Sequence, residues 1–488
     1  MNGTGPDVRK VYAKTTKLVD SVEYGDTPAR ETVFEGKRTI TLTAGNVNGG
    51  TLVSKDKVIA FDLPVCPQYF FPTRMAARIN VAIRDADGVR KLEPRTVTKR
   101  VPLTGKETEE ERKLIDPDGN GFRDVTGMEL PRVAPIDGIF DTLFSKVEVF
   151  SHGKPIRDYN HYGITSFVNV LLSTPASHIR NALWFLAGYA LDDTWVDDRD
   201  ATGGNEASWQ VNEGLKQRQR RWAASEGAEL CRELNIPIFN QELLLPLMSG
   251  WRIEFSLNSN DFCLMKAKSE TQGAQLVITN FELLVDVADL RRDAQASIER
   301  PLKQKGKGRL SVPFQDLETT TLSIPAGSYN FSTHSDLGTP ARQVIIFFAE
   351  EDAVLGDAIR SPLKFQNFDL ARLELMADGK TQELEQNFAE GRSADVYRRI
   401  LENISGDPFD TSLTPDRWLN NAAFFVFDAT PGYTSNELDV VPDNWNKMSS
   451  WFVRGNFQRP LTTNVTMFIV REVDRVLEMD DTFTAKVV

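Results

Sequence analysis

Segments with strand character run the length of the chain: Lys57 to Leu63, Ala77 to Arg84, Ser145 to Phe150, Trp251 to Leu257, Leu276 to Val287, Gln343 to Ala349, Ala371 to Met376, Ala422 to Asp428 and Val465 to Val470. Many alternate apolar with polar residues, as a strand must when one face meets a core and the other meets water or a neighbour. In Ser145-Lys146-Val147-Glu148-Val149 the valines are predicted to point one way and the charges the other. Helical periodicity is scarce and short, clearest at Tyr162 to Leu172 and Ala394 to Ile404. Many short strands separated by turn residues, with 24 prolines, predict an all-β protein of sandwiches or jelly rolls rather than a parallel α/β fold.

A charged stretch at Asp289 to Arg309, ending in Pro301-Leu302-Lys303-Gln304-Lys305-Gly306-Lys307-Gly308-Arg309, reads as a linker. It divides the chain into an N-terminal arm (1–30), a first unit with loop insertions (31–290), the linker (291–309) and a second unit (310–488). The two units carry the same ordered pattern. Val147-Glu148-Val149 leads through a turn to Gly153-Lys154 and then to a helix with Tyr162, Phe167 and Leu171. Leu373-Glu374-Leu375 leads to Gly379-Lys380 and then to a helix with Tyr397, Ile400 and Leu401. Superposed halves should therefore place Gly153 over Gly379 and one helix over the other, with the apolar stripe of each helix buried.

Length adds that 488 residues suffice for two domains, each with a full core. A net charge of −12 argues against coating nucleic acid with the whole surface, so any such contact is local. No apolar run approaches the ~18 to 20 residues of a membrane-spanning helix, and Met1 to Lys17 is unlike a signal peptide. Cys66, Cys231 and Cys263 are odd in number and lack metal-ligand spacing; all three are expected to be buried thiols in a reducing compartment.

Little of the sequence promises chemistry. Asp116-Pro117-Asp118-Gly119-Asn120-Gly121-Phe122-Arg123-Asp124 resembles the start of a calcium loop, with oxygen ligands at Asp116, Asp118, Asn120 and Asp124, but Gly127 stands where a bidentate acid is needed. An exposed turn binding Ca²⁺ weakly, if at all, is the expectation, and no other cofactor is expected. The four histidines form no metal spacing, no Gly-x-Ser-x-Gly elbow is present, and no Gly-Lys-Ser/Thr phosphate loop occurs. Two basic clusters, Lys303, Lys305, Lys307 and Arg309, and Arg218, Arg220 and Arg221, are candidates for contact with nucleic acid or a neighbouring subunit.

Several segments in fixed order carry a family resemblance. They are Val133-Ala134-Pro135-Ile136-Asp137, Leu143-Phe144-Ser145-Lys146-Val147-Glu148-Val149, Ile236-Pro237-Ile238-Phe239-Asn240-Gln241, Trp251-Arg252-Ile253-Glu254-Phe255, Asn260-Asp261-Phe262-Cys263-Leu264-Met265, Leu337-Gly338-Thr339-Pro340-Ala341-Arg342, Pro362-Leu363-Lys364-Phe365-Gln366-Asn367-Phe368 and Phe425-Val426-Phe427-Asp428. In this order the chain resembles the major capsid proteins of Polintons (Mavericks) and adintoviruses, and more distantly those of virophages. The resemblance implies two tandem eight-stranded jelly rolls, a double jelly roll with short helices in its loops, and no enzymatic activity. It further implies homotrimeric capsomers of pseudo-hexagonal outline tiling an icosahedral shell, because two similar units repeated three times present six similar corners. Penton and minor capsid proteins would be partners, packaged double-stranded DNA an indirect one, and the virion capsid the location, assembled in host cytoplasm or nucleus. The alternative is a carbohydrate-binding or carbohydrate-processing tandem β-sandwich, which would need exposed aromatics; Trp184, Trp195, Trp209 and Trp222 are the candidates.

Overall fold

The computed structural model describes residues 34–45, 47, 50–92, 94–102, 122–193, 195, 206–222, 227–300, 302, 308–335, 341–377, 380–385, 393–403, 410–429 and 451–488. Sixteen strands form its frame. In the first half they are β1 (Phe34–Thr43), β2 (Val58–Asp62), β3 (Ala76–Asp85), β4 (Phe144–Ser151), β5 (Lys154–Asn160), β6 (Ala228–Glu233), β7 (Trp251–Leu257) and β8 (Ala274–Leu290). In the second they are β9 (Leu310–Ile324), β10 (Asn330–Ser335), β11 (Ala341–Glu350), β12 (Leu370–Ala377), β13 (Lys380–Glu385), β14 (Phe424–Asp428), β15 (Trp451–Phe457) and β16 (Val465–Met479).

Pairing is antiparallel throughout this frame. β1 pairs β8, β8 pairs β3 and β3 pairs β6 in one sheet; β2, β7, β4 and β5 make the other, in that order. The second half repeats both sheets with every strand number raised by eight: β9-β16-β11-β14 and β10-β15-β12-β13. Each half is thus an eight-stranded jelly roll, two sheets face to face, and the fold is a double jelly roll. Short extra strands at Thr51–Leu52, Tyr69–Phe70 and Leu245–Pro246 extend the first sheet, and Ala485–Val487 pairs with β16.

The alternation read from sequence sets the faces. Val147 and Val149 are fully buried while Lys146 and Glu148 face outward as an ion pair at 2.9 Å. Phenylalanines fill the sandwiches: Phe61, Phe144, Phe255 and Phe281 cluster in the first, with Phe144 and Phe255 centroids 4.8 Å apart. Phe331, Phe348 and Phe457 do so in the second. The β4–β5 hairpin closes through His152 and Gly153, with φ of 48° and 74°. A two-residue loop with positive φ at both positions matches the twist of its strands. Gly379 lies outside the described residues, but Ala377 pairs Lys380 just as Ser151 pairs Lys154.

A helix follows the hairpin in each roll. Introduced in chain order, the helices used below are α1 (Ile139–Thr142), α2 (Tyr162–Ser173), α3 (Glu213–Trp222), α4 (Arg292–Glu299) and α5 (Ala394–Asn403). α2 and α5 occupy the same place in the strand order, after β5 and β13 and before β6 and β14. Phe167, Leu171 and Ile400 are buried as expected; Leu401 is only half-buried, because α5 packs on its own roll along one face. The stretch read as a linker carries α4. One further expectation is corrected: of the three cysteines only Cys263 is buried, burial pushing its thiol far up, and Cys66 and Cys231 are half-buried.

Candidate functional site

The two rolls meet where β5 and α2 of the first reach β9 and β16 of the second. In β9, Asp316 and Glu318 lie two residues apart and so share a face; in β16, Arg471 pairs with Glu318 and Arg475 with Phe314, which puts both guanidinium groups on that same face. Arg157 of β5 arrives from the other roll. Its Nε lies 2.7 Å from Asp316 Oδ2 and its Nη2 3.0 Å from Glu318 Oε1. Arg475 Nη2 donates to Glu318 Oε1 at 2.6 Å, and Arg471 donates to Glu318 Oε2. Five charges, three positive and two negative, are thereby knotted across the junction.

Burial sets their electrostatics. The Asp316 side chain is fully enclosed, and burial pushes its carboxyl up to about 6, against the pull of Arg157. Burial also works against the Glu318 carboxylate, but the Arg475 hydrogen bond and the charges of Arg471 and Arg157 outweigh it and hold Glu318 below the usual range. The Tyr159 hydroxyl is driven well up by burial and by nearby Asp316, so it stays protonated; it accepts from the Ile238 amide at 3.1 Å. Beside this knot a polar cavity of about 230 Å³ is lined by both rolls, among others by Tyr162 and Thr165 from one and Thr319 and Arg471 from the other. Thr165 Oγ1 and Thr319 Oγ1 stand 3.0 Å apart across it. No nucleophile, base and oxyanion donor converge there, and among the described residues no three His, Cys, Asp or Glu gather to hold a metal. The arrangement joins the two rolls through paired charges.

A second buried charge system supports α2 from beneath. Asp141 in α1 is fully buried and receives Arg232 Nη1 at 2.6 Å, the Tyr189 hydroxyl at 2.7 Å and the Ser166 hydroxyl at 2.9 Å. Asp137, just before α1, is pushed up to about 6 by burial, opposed by Arg218 at 3.7 Å.

The residues singled out in the sequence fare unequally. Asp116, Asp118, Asn120, Lys303, Lys305 and Lys307 lie outside the described residues. Asp124 belongs to a strand, Phe122–Glu129, paired with Arg95–Pro102, which corrects the reading of that end as a loop. Arg309 is exposed and pairs with Glu478 at 2.6 Å. The cluster Lys216 to Trp222 forms most of α3, and Arg218 within it is 0% exposed. Its Nε donates to Pro135 O at 2.9 Å and its Nη2 meets Asp192 at 2.7 Å. The expectation that Arg218 faces a partner or a phosphate is therefore corrected: helical spacing turns it inward, where a charge survives only when paired. Arg220 remains exposed, beside Glu213 at 3.2 Å. Arg221 is half-buried, its guanidinium 4.5 Å from the Trp222 ring centre. Trp209 and Trp222 are buried and Trp184 and Trp195 half-buried, so these four form no platform of exposed indoles among the described residues. Sequence reading missed Arg157, Asp316, Glu318, Arg471 and Arg475. The signal present was a set of charges at alternate positions within strands otherwise rich in apolar residues.

No family model and no curated protein matches the chain. Solved structures do match it over nearly its whole length. A chain of the Sputnik virophage superposes with a TM-score of 0.56 at 13% identity, covering 100% of this chain and 93% of that one. The Faustovirus major capsid protein gives 0.55 at 10% identity, with 94% and 93% covered, and a chain of the PBCV-1 virus capsid gives 0.54 at 9%, with 96% and 99% covered. The strand order and these likenesses together establish that this chain has the double jelly-roll fold seen in viral major capsid proteins.

Proposed function

We propose that this chain is a major capsid protein of the Polinton–adintovirus kind, a structural subunit without catalytic activity. Three copies form a pseudo-hexagonal capsomer, and capsomers tile an icosahedral shell around double-stranded DNA, with penton and minor capsid proteins completing it. The observation that carries the reading is the repetition of one eight-strand order in both halves, joined by a buried ionic junction: two near-equivalent, rigidly coupled units per chain are what a three-fold axis needs to yield six similar corners. The sugar-binding alternative finds no platform of exposed indoles among the described residues and is not favoured. Negative-stain microscopy and light scattering of the purified protein test it. Hexagonal particles of trimer mass, or closed shells, are expected; a monodisperse monomer at micromolar concentration would overturn the reading.

A further inference from the structure

The polar cavity beside the ionic junction carries more positive character than its own carboxylates balance. Arg157 and Arg471 stand in its wall and Arg475 behind them, against Asp316 and Glu318. Burial drives Asp316 toward its neutral form, and Glu318 is shared among all three guanidinium groups. Arg471 registers the shortage: burial, aided by repulsion from Arg475 and Arg157, holds its pKa below the ordinary guanidinium value in spite of Glu318. Asp158, the remaining acid of the wall, is exposed, so water screens its charge.

The start of α2 borders the same cavity through Tyr162, Thr165 and Ser166. No side chain caps that helix end, and its first internal hydrogen bond runs from Thr165 N to His161 O at 3.0 Å, so the positive end of the helix dipole lies beside the cavity without a side-chain partner. A second feature is independent of the backbone. Tyr162 is 3% exposed, and its hydroxyl has no hydrogen-bond partner among the described residues. Burial and nearby Asp141 keep that hydroxyl protonated, so the wall holds a buried donor without an acceptor, a state folded proteins seldom tolerate.

We propose that this cavity binds a small oxyanion of phosphate or sulfate size, held between the rolls by the hydroxyls of Tyr162, Thr165 and Thr319 and by the Arg471 guanidinium. The anion supplies the acceptor that Tyr162 lacks and the negative charge that the junction is short of; an uncapped helix start beside a guanidinium is a ready anion site. The volume of about 230 Å³, several times the ~30 Å³ share of one water molecule, admits such an ion. Because the walls come from both rolls, the bound ion ties one roll to the other. The site does not depend on the capsid reading.

Titration calorimetry of the full chain with inorganic phosphate, at pH 7 and constant ionic strength, tests it, with Tyr162→Phe and Thr319→Val as variants. Both leave the charges of the junction in place, and circular dichroism with thermal melting checks that each is folded; Thr319→Val carries the comparison if Tyr162→Phe does not fold. Wild type is expected to bind one phosphate per chain saturably and to melt higher in phosphate than in sodium chloride of equal ionic strength. Each variant is expected to bind about tenfold more weakly, for the loss of one hydrogen bond to a charged group, and to lose most of the phosphate-specific rise. Sulfate is expected to compete with phosphate, and glycerol to leave the titration unchanged. Absence of saturable phosphate binding by wild type, equal binding by wild type and the folded variants, or a stabilisation that sodium chloride matches would overturn the site. Competition by glycerol but not by sulfate would overturn it as well, by assigning the cavity to a neutral polyol.

Discussion

Trp251 and Trp451 stand at the same place in the two jelly rolls. Trp251 opens β7 and pairs with Ser151, the last residue of β4; Trp451 opens β15 and pairs with Ala377, the last residue of β12. Both indoles are buried, at 1% and 2% exposure. The register runs in step to the far end of each strand, where Leu257 pairs Phe144 and Phe457 pairs Leu370, each across a one-residue bulge. A bulge repeated at the same point is a designed feature of the fold, and it dates the likeness of the halves to their backbone architecture rather than to shared side chains. Where β7 has Phe255, β15 has Gly455, and the ring of Phe331 fills the space: a Cβ on Gly455 would lie 2.5 Å from Phe331 Cζ.

Truncating either indole removes a large buried side chain from the mouth of its sandwich. Trp251→Ala and Trp451→Ala are each expected to cost about 3 to 5 kcal/mol of stability. Urea unfolding of the purified variants measures this.

The helices offer a graded test. Leu171→Ala and Ile400→Ala, at buried positions, should cost roughly 2 to 5 kcal/mol. Leu401→Ala should cost clearly less, because that side chain is only partly buried. The same denaturation series ranks the three.

Gly163 sits in the first turn of α2, packed on α1 so closely that a Cβ would lie 2.8 Å from Phe144 O and 2.8 Å from Thr142 Cα. Backbone cannot step aside as a side-chain tip can, so Gly163→Ala should cost about 1 to 3 kcal/mol. Gly153→Ala, with positive φ but nothing within 4 Å, should cost only the left-handed strain of about 1 to 2 kcal/mol. Melting temperatures of the two variants separate steric from conformational cost.

At the roll junction, Glu318→Ala leaves Arg157, Arg471 and Arg475 without their shared acceptor. Breaking a buried ionic group by removing one partner is expensive, about 3 to 5 kcal/mol. Limited proteolysis should then cut between the rolls, and scanning calorimetry should split one transition into two.

The two acids of the junction respond to pH with opposite signs. Asp316, raised to about 6, keeps its proton in the folded chain over a range where the unfolded chain has lost it. Its contribution therefore favours the fold in acid and is lost as pH rises through about 6. Glu318, held below its ordinary value, contributes stability above that value that disappears as pH falls through the folded one. Asp316→Asn should accordingly change the stability difference between pH 5 and pH 7.5 by roughly 1 kcal/mol, removing a term that favours the fold at pH 5. Urea midpoints at the two pH values decide; an unchanged difference would show that Asp316 does not titrate in this window.

The alternation of apolar and polar residues by itself determined the fold class, most of the inward-facing strands and the existence of a repeat. Trp251 to Leu257 was legible to the residue, because a strand buried on one face writes its period into the chain. β1 and β9 were not, since an edge strand has no second neighbour to demand apolar residues and Phe34–Thr43 reads as polar chain. Equally hidden was the inward turn of Arg218: a guanidinium is buried only where carboxylates and carbonyls from Asp137, Asp192 and Pro135 converge on it, and those partners come from distant parts of the sequence. The junction of Arg157, Asp316, Glu318, Arg471 and Arg475 is of the same kind. Each residue alone looks like an ordinary surface charge, and only the meeting of two separately folded rolls removes the water that would have made it one.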